Sequence, residues 1–170
     1  LDTALDFAAV TDHAEYFGEL SLCLDKDANQ YQLPLCQEIR NEDRQRDIVT
    51  RVYKNLIIRD VVSQNPQRES EICGDDDSLC HERAASVWQK LISIADTYNS
   101  PGEFTTLVAY EWTGNPAFKN LHRNVIFKSN EVPALPASYF EANTPAKLWQ
   151  QLSNDCQAPC EAIAIPHNSN

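Results

Sequence analysis

Residues 5–11 read LDFAAVT, a nearly continuous apolar run of strand length that Asp12 and His13 follow at once. Such a run is typical of a parallel strand that is covered on both faces. A similar arrangement returns near the other end of the chain, where residues 162–165 read AIAI shortly before His167. Because the carboxyl ends of parallel strands and their loops form the site face of α/β folds, both histidines are expected there.

Further strands and helices are predicted between these two strands, from short apolar runs and from apolar residues at helical spacing. The strands are 104–112 (FTTLVAYEW) and 124–128 (NVIFK), and the helices are 42–62, 80–98 and a segment that Thr144 caps and Pro145 opens. The order predicts an α/β fold with mainly parallel strands and a helical insertion at about residues 20–100.

The composition argues against several classes of protein. The 170 residues include 14 Lys+Arg against 25 Asp+Glu, a net charge of −11, whereas nucleic-acid binders usually have a basic face. The acidic balance also disfavours adhesion to an anionic membrane surface. No apolar run reaches the roughly 20 residues that a membrane span requires. The chain contains no Met, so we expect that it lacks its natural start.

Six cysteines fall into three close pairs along the chain, Cys23/Cys36, Cys73/Cys80 and Cys156/Cys160. Six cysteines allow 15 connectivities, and we favour the sequential one because each pair then closes a short loop. No C-x-x-C occurs, which disfavours a zinc ribbon or finger, and buried free thiols in a reducing compartment stay an alternative. Disulfides are typical of oxidising compartments, so we expect a periplasmic or secreted protein.

A candidate metal site follows from the positions of three histidines and one acidic residue. Glu111 lies near the end of its predicted strand, and His122 lies just before the next one. Together with His13 and His167, they would place imidazoles and a carboxylate on one face, a ligand set that suits Zn²⁺, Mn²⁺ or Fe²⁺. Each residue also has a plainer interpretation: a surface or hydrogen-bonded histidine, or a salt bridge from Glu111 to Arg123.

Two other ionisable residues bear on the extent of this site. Asp12 precedes His13, and an adjacent acid can orient an imidazole ring. His81 lies in the segment LCHER, which we interpret as a surface loop outside the site.

Four segments in this order, TDHAE (11–15), YEWTG (110–114), NLHRNVIF (120–127) and IPHNSN (165–170), resemble the PHP (polymerase and histidinol phosphatase) superfamily. Within it, the chain resembles a bacterial family called domain-of-unknown-function family 3604. The resemblance implies a distorted (β/α)₇ barrel with two or three divalent metal ions at the carboxyl ends of its strands.

The resemblance also implies roles for individual residues. His13, Glu111, His122 and His167 match metal ligands, with Glu111 bridging two ions. The residues around them would complete the pocket: Asp12 as an orienting acid, Arg123 as a contact for an anionic substrate, and Asn124 and Asn168 as lining residues.

The function that the resemblance implies is metal-dependent hydrolysis of small phosphate esters or related anionic esters. An H-x-H strand and an Asp-x-His strand end, both typical of the superfamily, are not found in the chain. Residues 1–170 would then be the central part of a single PHP-like hydrolase domain, which could be inactive alone. The alternative is a non-catalytic, disulfide-stabilised secreted interaction domain, in which the four candidate ligands would point apart.

Overall fold

A computed structural model of the chain describes residues 5–40 and 63–167. The predicted helix at 42–62 and the pocket residue Asn168 lie outside these ranges. The described residues form a mixed α/β structure with a short parallel sheet and a three-stranded antiparallel sheet.

The helices of the described residues lie mainly in the first two thirds of the chain. They are α1 (Phe17–Leu24), α2 (Pro34–Arg40), α3 (Ser70–Cys73), α4 (Ser78–Tyr98) and α5 (Pro145–Asp155). In α4, Ala84, Trp88 and Ile92 are buried at a spacing of one helical turn, as an amphipathic helix requires. The predicted start of α5 is confirmed, since the Thr144 side chain accepts a hydrogen bond from the backbone N–H of Lys147.

The strands are shorter than the apolar runs that predict them. They are β1 (Phe7–Ala9), β2 (Thr105–Leu107), β3 (Ala109–Trp112), β4 (Arg123–Phe127) and β5 (Ala162–Pro166). The run at 104–112, predicted as one strand, is therefore divided at Val108 into two strands that belong to different sheets.

The prediction of mainly parallel strands is wrong for the described residues. Only β1 and β2 pair in parallel, whereas β3–β4 and β4–β5 are antiparallel. The connection from β3 to β4 contains one short 3-10 turn and no crossover helix, and a parallel pair would need such a crossover. These strands do not close into a barrel within the parts of the chain that the structure describes.

The antiparallel pairing brings three chain segments to one edge of the sheet. Trp112 at the end of β3 pairs with Arg123 at the start of β4, which pairs with Pro166 at the end of β5. A parallel bridge between His13 and Glu111 adds the segment that follows β1. The segments that carry His13, Glu111, His122 and His167 therefore converge as predicted, although β4 runs opposite to its neighbours.

One face of the antiparallel sheet packs in the core, where the Trp88 ring of α4 lies against Tyr110 and Phe127. The first strand is not covered on both faces as its apolar run predicts, because Phe7 is 66% exposed. In the antiparallel sheet, the outer strand β5 also exposes an apolar side chain, Ile163.

The sequential disulfide pairing is confirmed: Cys23–Cys36, Cys73–Cys80 and Cys156–Cys160 are all bonded. The first joins α1 to α2, the second joins α3 to α4, and the third closes a short loop before β5. Among the described residues, no helix is both long enough and apolar enough to cross a bilayer.

Candidate metal centre at the sheet edge

Glu111 is the centre of a cluster of imidazoles at this sheet edge. Its side chain is only 5% exposed. The Oε1 atom lies 2.6 Å from Nδ1 of His122, a hydrogen bond between a strand end and the residue that precedes the neighbouring strand. The predicted salt-bridge alternative is not found, because Arg123 donates instead to the backbone carbonyls of Leu121 and His122.

The other two histidines approach the same carboxylate. Nε2 of His167 lies 3.7 Å from Oε2 of Glu111, and its backbone N–H donates to the carbonyl of His122. Nδ1 of His13 lies 3.6 Å from Oε1 of Glu111. The His122 and His167 rings stack, with their centroids 6.0 Å apart. The structure thus brings together all four predicted ligands.

The electrostatics of the cluster favour an ionised carboxylate. Burial tends to raise the pKa of Glu111, but the hydrogen bond from His122 and the charges of the three imidazoles lower it below 4.5. An ionised carboxylate is the form that binds a divalent cation, whereas the imidazoles bind it only in their neutral form.

Three of the four side chains meet the geometric requirement for one shared ion. One ligand atom each from Glu111, His122 and His167 lies within 4.8 Å of the others. His13 stands at the side of this group, because its Nδ1 also lies 2.6 Å from Oγ1 of Thr113. The chemistry of the donors, one carboxylate with imidazoles, fits Zn²⁺, Mn²⁺ or Fe²⁺.

The predicted pocket residues occupy different positions around the cluster. Asp12 is exposed, and its backbone carbonyl accepts the N–H of Glu111. The His13 ring contacts the hydroxyl of Thr113 through its Nδ1 atom. Asn124 lies directly opposite Glu111 in the strand register. Its buried Oδ1 has no hydrogen-bond partner among the residues that the structure describes.

Glu15 is a buried acidic residue near the cluster that was not among the predicted site residues. It is fully buried, and its Oε1 accepts the backbone N–H groups of Thr113 and Tyr139 at 2.9 and 3.0 Å. Burial raises the pKa of Glu15, although these backbone bonds and the Thr113 hydroxyl act to lower it.

A second buried network lies behind Glu15. The guanidinium of Arg68 donates to Glu19 at 2.9 Å and to Glu141 at 2.6 Å, and also to the carbonyl of Glu15. His81 contacts Glu141 at 3.3 Å, and it lies in the first turns of α4, so its assignment to a surface loop is wrong. Its side chain is nevertheless 42% exposed.

The pKa values of two acidic residues in this network, Glu141 and Glu19, are shifted in opposite directions. Burial opposes ionisation of Glu141, but its bonds to His81, Arg68 and Ser138 lower its pKa to about 2. For Glu19, burial is the larger effect and raises the pKa despite the charge of Arg68. A sequence signal for these residues exists, since Glu15 and Glu19 lie four positions apart in the otherwise mainly apolar segment AEYFGEL (14–20).

Within residues 5–40 and 63–167, one other group has suitable spacing for a metal, Glu19 with Cys73 and Cys80. Its two sulfurs are joined in a disulfide, so they cannot act as thiolate ligands. The cluster around Glu111 is therefore the stronger candidate metal centre among the described residues.

Comparison with known proteins gives one match. The family described as "Protein of unknown function (DUF3604)" matches residues 1–170, the full length of the chain. No curated protein and no solved structure matches. Because the family match covers the whole chain, the protein belongs to the DUF3604 family.

Proposed function

We propose that this protein is a metal-dependent hydrolase of phosphate esters or related anionic esters, with a structure related to the PHP barrel. The observation that supports the proposal is the convergence of His13, Glu111, His122 and His167 at one sheet edge. In the alternative, an interaction domain held by disulfides, nothing requires these side chains to meet.

The separations within the cluster agree with ligation of a common ion. Two ligands that each lie about 2.1 Å from a tetrahedral ion are roughly 3.4 Å apart. The distance from Oε2 of Glu111 to Nε2 of His167 is 3.7 Å, which is close to this value. Glu111 and His122 share a hydrogen bond at 2.6 Å, and on metal binding both would exchange it for the ion.

The bound ion and the residues around it would have separate roles in hydrolysis. A bound divalent ion would lower the pKa of a coordinated water and hold the substrate anion. Glu111 offers two carboxylate oxygens, each directed at a different imidazole, so it can bridge two ions. Asn124, with its unpartnered Oδ1, is placed to accept a hydrogen bond from a water or substrate hydroxyl beside Glu111.

The substrate is proposed to be a small phosphate monoester or diester, with other anionic esters such as sulfate esters as further candidates. The net charge of −11 would repel a free anion, but metal charge dominates the field inside such a site. The three disulfides agree with a periplasmic or secreted location.

The test is metal binding followed by hydrolysis. The full-length protein, stripped of metal by dialysis against a chelator, is titrated with Zn²⁺ and Mn²⁺ by calorimetry. It is then assayed with p-nitrophenyl phosphate, bis(p-nitrophenyl) phosphate and p-nitrophenyl sulfate. We expect binding and metal-dependent release of p-nitrophenol from a phosphate ester.

Matched histidine variants make this test specific. His122→Gln and His167→Gln should lose both metal affinity and activity, whereas His81→Gln, which changes a histidine outside the cluster, should keep both. Equal affinity in all three variants would contradict the metal centre. Metal binding without hydrolysis of any ester would contradict the hydrolase and leave a metal-binding domain.

A further inference from the structure

The loop between β3 and β4 connects two of the four clustered residues, Glu111 and His122. Its two arms stay together beyond the sheet, because the backbone N–H of Leu121 donates to the carbonyl of Gly114 at 2.8 Å. The tip of the loop, residues 116–119 (PAFK), therefore extends from the same two chain segments that carry the cluster.

The tip displays an aromatic side chain near the candidate metal centre. Phe118 is 72% exposed, the highest value among the exposed large apolar side chains that the structure describes. It lies four residues before His122. Its Cα is therefore at most about 14 Å from that of His122, even along a fully extended chain. This limit leaves the Phe118 ring within reach of the leaving group of an ester whose phosphate lies at the cluster.

The backbone of the tip holds Phe118 in a conformation that is disfavoured for residues other than glycine. Ala117 has a φ of +50° and Phe118 a φ of +61°, both in the left-handed region. L-residues rarely adopt this region, because the Cβ atom comes too close to the following carbonyl oxygen. Residues held in such conformations cluster at active sites and in ligand-binding segments.

The polar groups of the loop do little to offset this strain. The Oδ1 atoms of Asn115 and Asn120 are buried and have no hydrogen-bond partner among the described residues, which costs free energy. The tip is held by backbone bonds, from the N–H of Phe118 to the carbonyl of Asn115 at 3.2 Å and from the N–H of Lys119 to that of Pro116 at 3.0 Å. A ligand in contact with the Phe118 ring would supply the compensation that these groups lack.

We propose that Phe118 is a specificity-determining residue, whose ring stacks on a leaving group that contains a planar aromatic ring. The inference rests on the proposed function, because it names the substrate class of the same site as aryl phosphates. Paired aromatic rings gain more than their buried area accounts for. Lys119, the next residue, is also exposed and brings a positive charge to the tip in a protein of net charge −11.

The test compares two variants that differ in the ring. Phe118→Leu retains apolar bulk without the ring, whereas Phe118→Tyr retains the ring. The zinc-loaded full-length protein is assayed for phosphate release from phenyl phosphate and from butyl phosphate. Phe118→Leu should lower kcat/KM for phenyl phosphate about 2–10-fold, mainly through KM, and leave the value for butyl phosphate unchanged. Phe118→Tyr should match the wild type on both esters.

Tyr98→Ala is the matched control for an exposed aromatic residue outside the loop. Tyr98 is 67% exposed at the end of α4 that leads to the start of β2, whereas Glu111 lies near the far end of β3. This variant should keep the wild-type values for both esters. If Phe118→Leu lost activity equally on phenyl and butyl phosphate, the tip would have a structural role and the inference would be overturned. Unchanged activity on phenyl phosphate would overturn it as well.

Phosphonates, whose P–C bond resists hydrolysis, separate this inference from the proposed function. Calorimetry measures the binding of phenylphosphonate and butylphosphonate to the zinc-loaded protein. If no ester is hydrolysed but phenylphosphonate binds more tightly, and Phe118→Leu removes the difference, the hydrolase fails and the recognition by Phe118 stands. If esters are hydrolysed without a preference that depends on Phe118, the hydrolase stands and the recognition fails. Binding of neither phosphonate together with hydrolysis of no ester would overturn both.

Discussion

Glu111 and His122 are joined by a hydrogen bond of 2.6 Å across the turn between β3 and β4. Glu111 is the last residue but one of β3, and His122 directly precedes β4. Both lie at the same sheet edge, because Trp112 and Arg123 pair directly in the register. The bond keeps a buried carboxylate and an imidazole together before any cation is present. The contribution of this bond to the free energy of unfolding can be measured in the absence of metal.

Glu111→Gln should lower the stability of the metal-free protein in a pH-dependent manner. Because the pKa of Glu111 is lowered in the folded state, its contribution is present above pH 4.5 and is lost as the pH falls through the folded value. Urea unfolding at several pH values should show a gap between wild type and variant that narrows below pH 4.5. Glu103→Gln, in the turn before β2, is the control, and an equal gap at all pH values would contradict the prediction.

Arg68→Met should be strongly destabilising. Arg68 is 4% exposed and neutralises Glu19, which is 1% exposed, so the variant leaves a buried charge without its partner. Breaking a buried pair in this way typically costs about 3–5 kcal/mol. Chemical denaturation measures the loss.

Lys128→Met is the matched control for Arg68→Met. Its partner is Glu161, and both side chains are mostly exposed, at 70% and 63%. Exposed pairs contribute about 0–1 kcal/mol, so this change should alter the free energy of unfolding very little. Comparable losses in the two variants would show that Arg68 does not stabilise through its buried charge.

The sequence predicts the convergence of His13, Glu111, His122 and His167 better than it predicts the surrounding fold. His13, Glu111 and His167 could be predicted because each follows an apolar run, and strand ends gather at sheet edges. The predicted strand direction is wrong, because a short apolar run such as NVIFK (124–128) predicts a strand but not its partner.

The buried network around Arg68 could not be predicted from spacing. Its contacts to Glu19 and Glu141 join residues 49 and 73 positions apart, and no local pattern relates such residues. The apolar segment around Glu15 indicates that it is buried, but its donor Tyr139 could not be predicted, since it lies 124 positions away. The disulfides were predictable because each closes a short loop, with separations of 13, 7 and 4 residues.

His81→Gln should change how stability depends on pH near neutrality. The hydrogen bond to Glu141 raises the pKa of His81 above 6.5, against the effects of burial and of Arg68, and Asp77 adds to the rise. The stabilisation by His81 is therefore complete below pH 6.5 and is lost as the pH rises through the folded pKa. Thermal unfolding from about pH 5 to about pH 9 should show a flatter profile in the variant, and parallel profiles would contradict the pairing.

Gly18→Ala should destabilise the protein although Gly18 lies inside α1, where alanine is intrinsically the better helix former by about 0.5–1 kcal/mol. A Cβ atom there would lie 2.7 Å from the backbone Cα of Cys80, which cannot move without shifting α4. Overpacking of this kind typically costs about 1–3 kcal/mol, which outweighs the helix preference. The free energy of unfolding in urea measures the balance.

Gly102→Ala separates steric clash from backbone strain. Gly102 has a φ of +88°, and a Cβ atom there would meet no other atom within 4 Å among the described residues, so only the left-handed conformation opposes the substitution. This strain costs about 1–2 kcal/mol. The free energy of unfolding in urea measures both variants. If Gly18→Ala proved as stable as the wild type, the structure around Gly18 would have relaxed to accept the Cβ atom.

The three disulfides should differ in their access to reductant. Cys23, Cys36, Cys73 and Cys80 are all fully buried, whereas Cys156 and Cys160 are half-buried in a loop. A thiolate must reach a sulfur atom in order to reduce the bond, so the native protein should lose only Cys156–Cys160. Mild reduction followed by alkylation and intact mass measurement should give two labels per chain, and six after denaturation. Six labels under native conditions would mean that the helices around Cys73–Cys80 open readily, and no labels would mean that the loop protects its sulfurs.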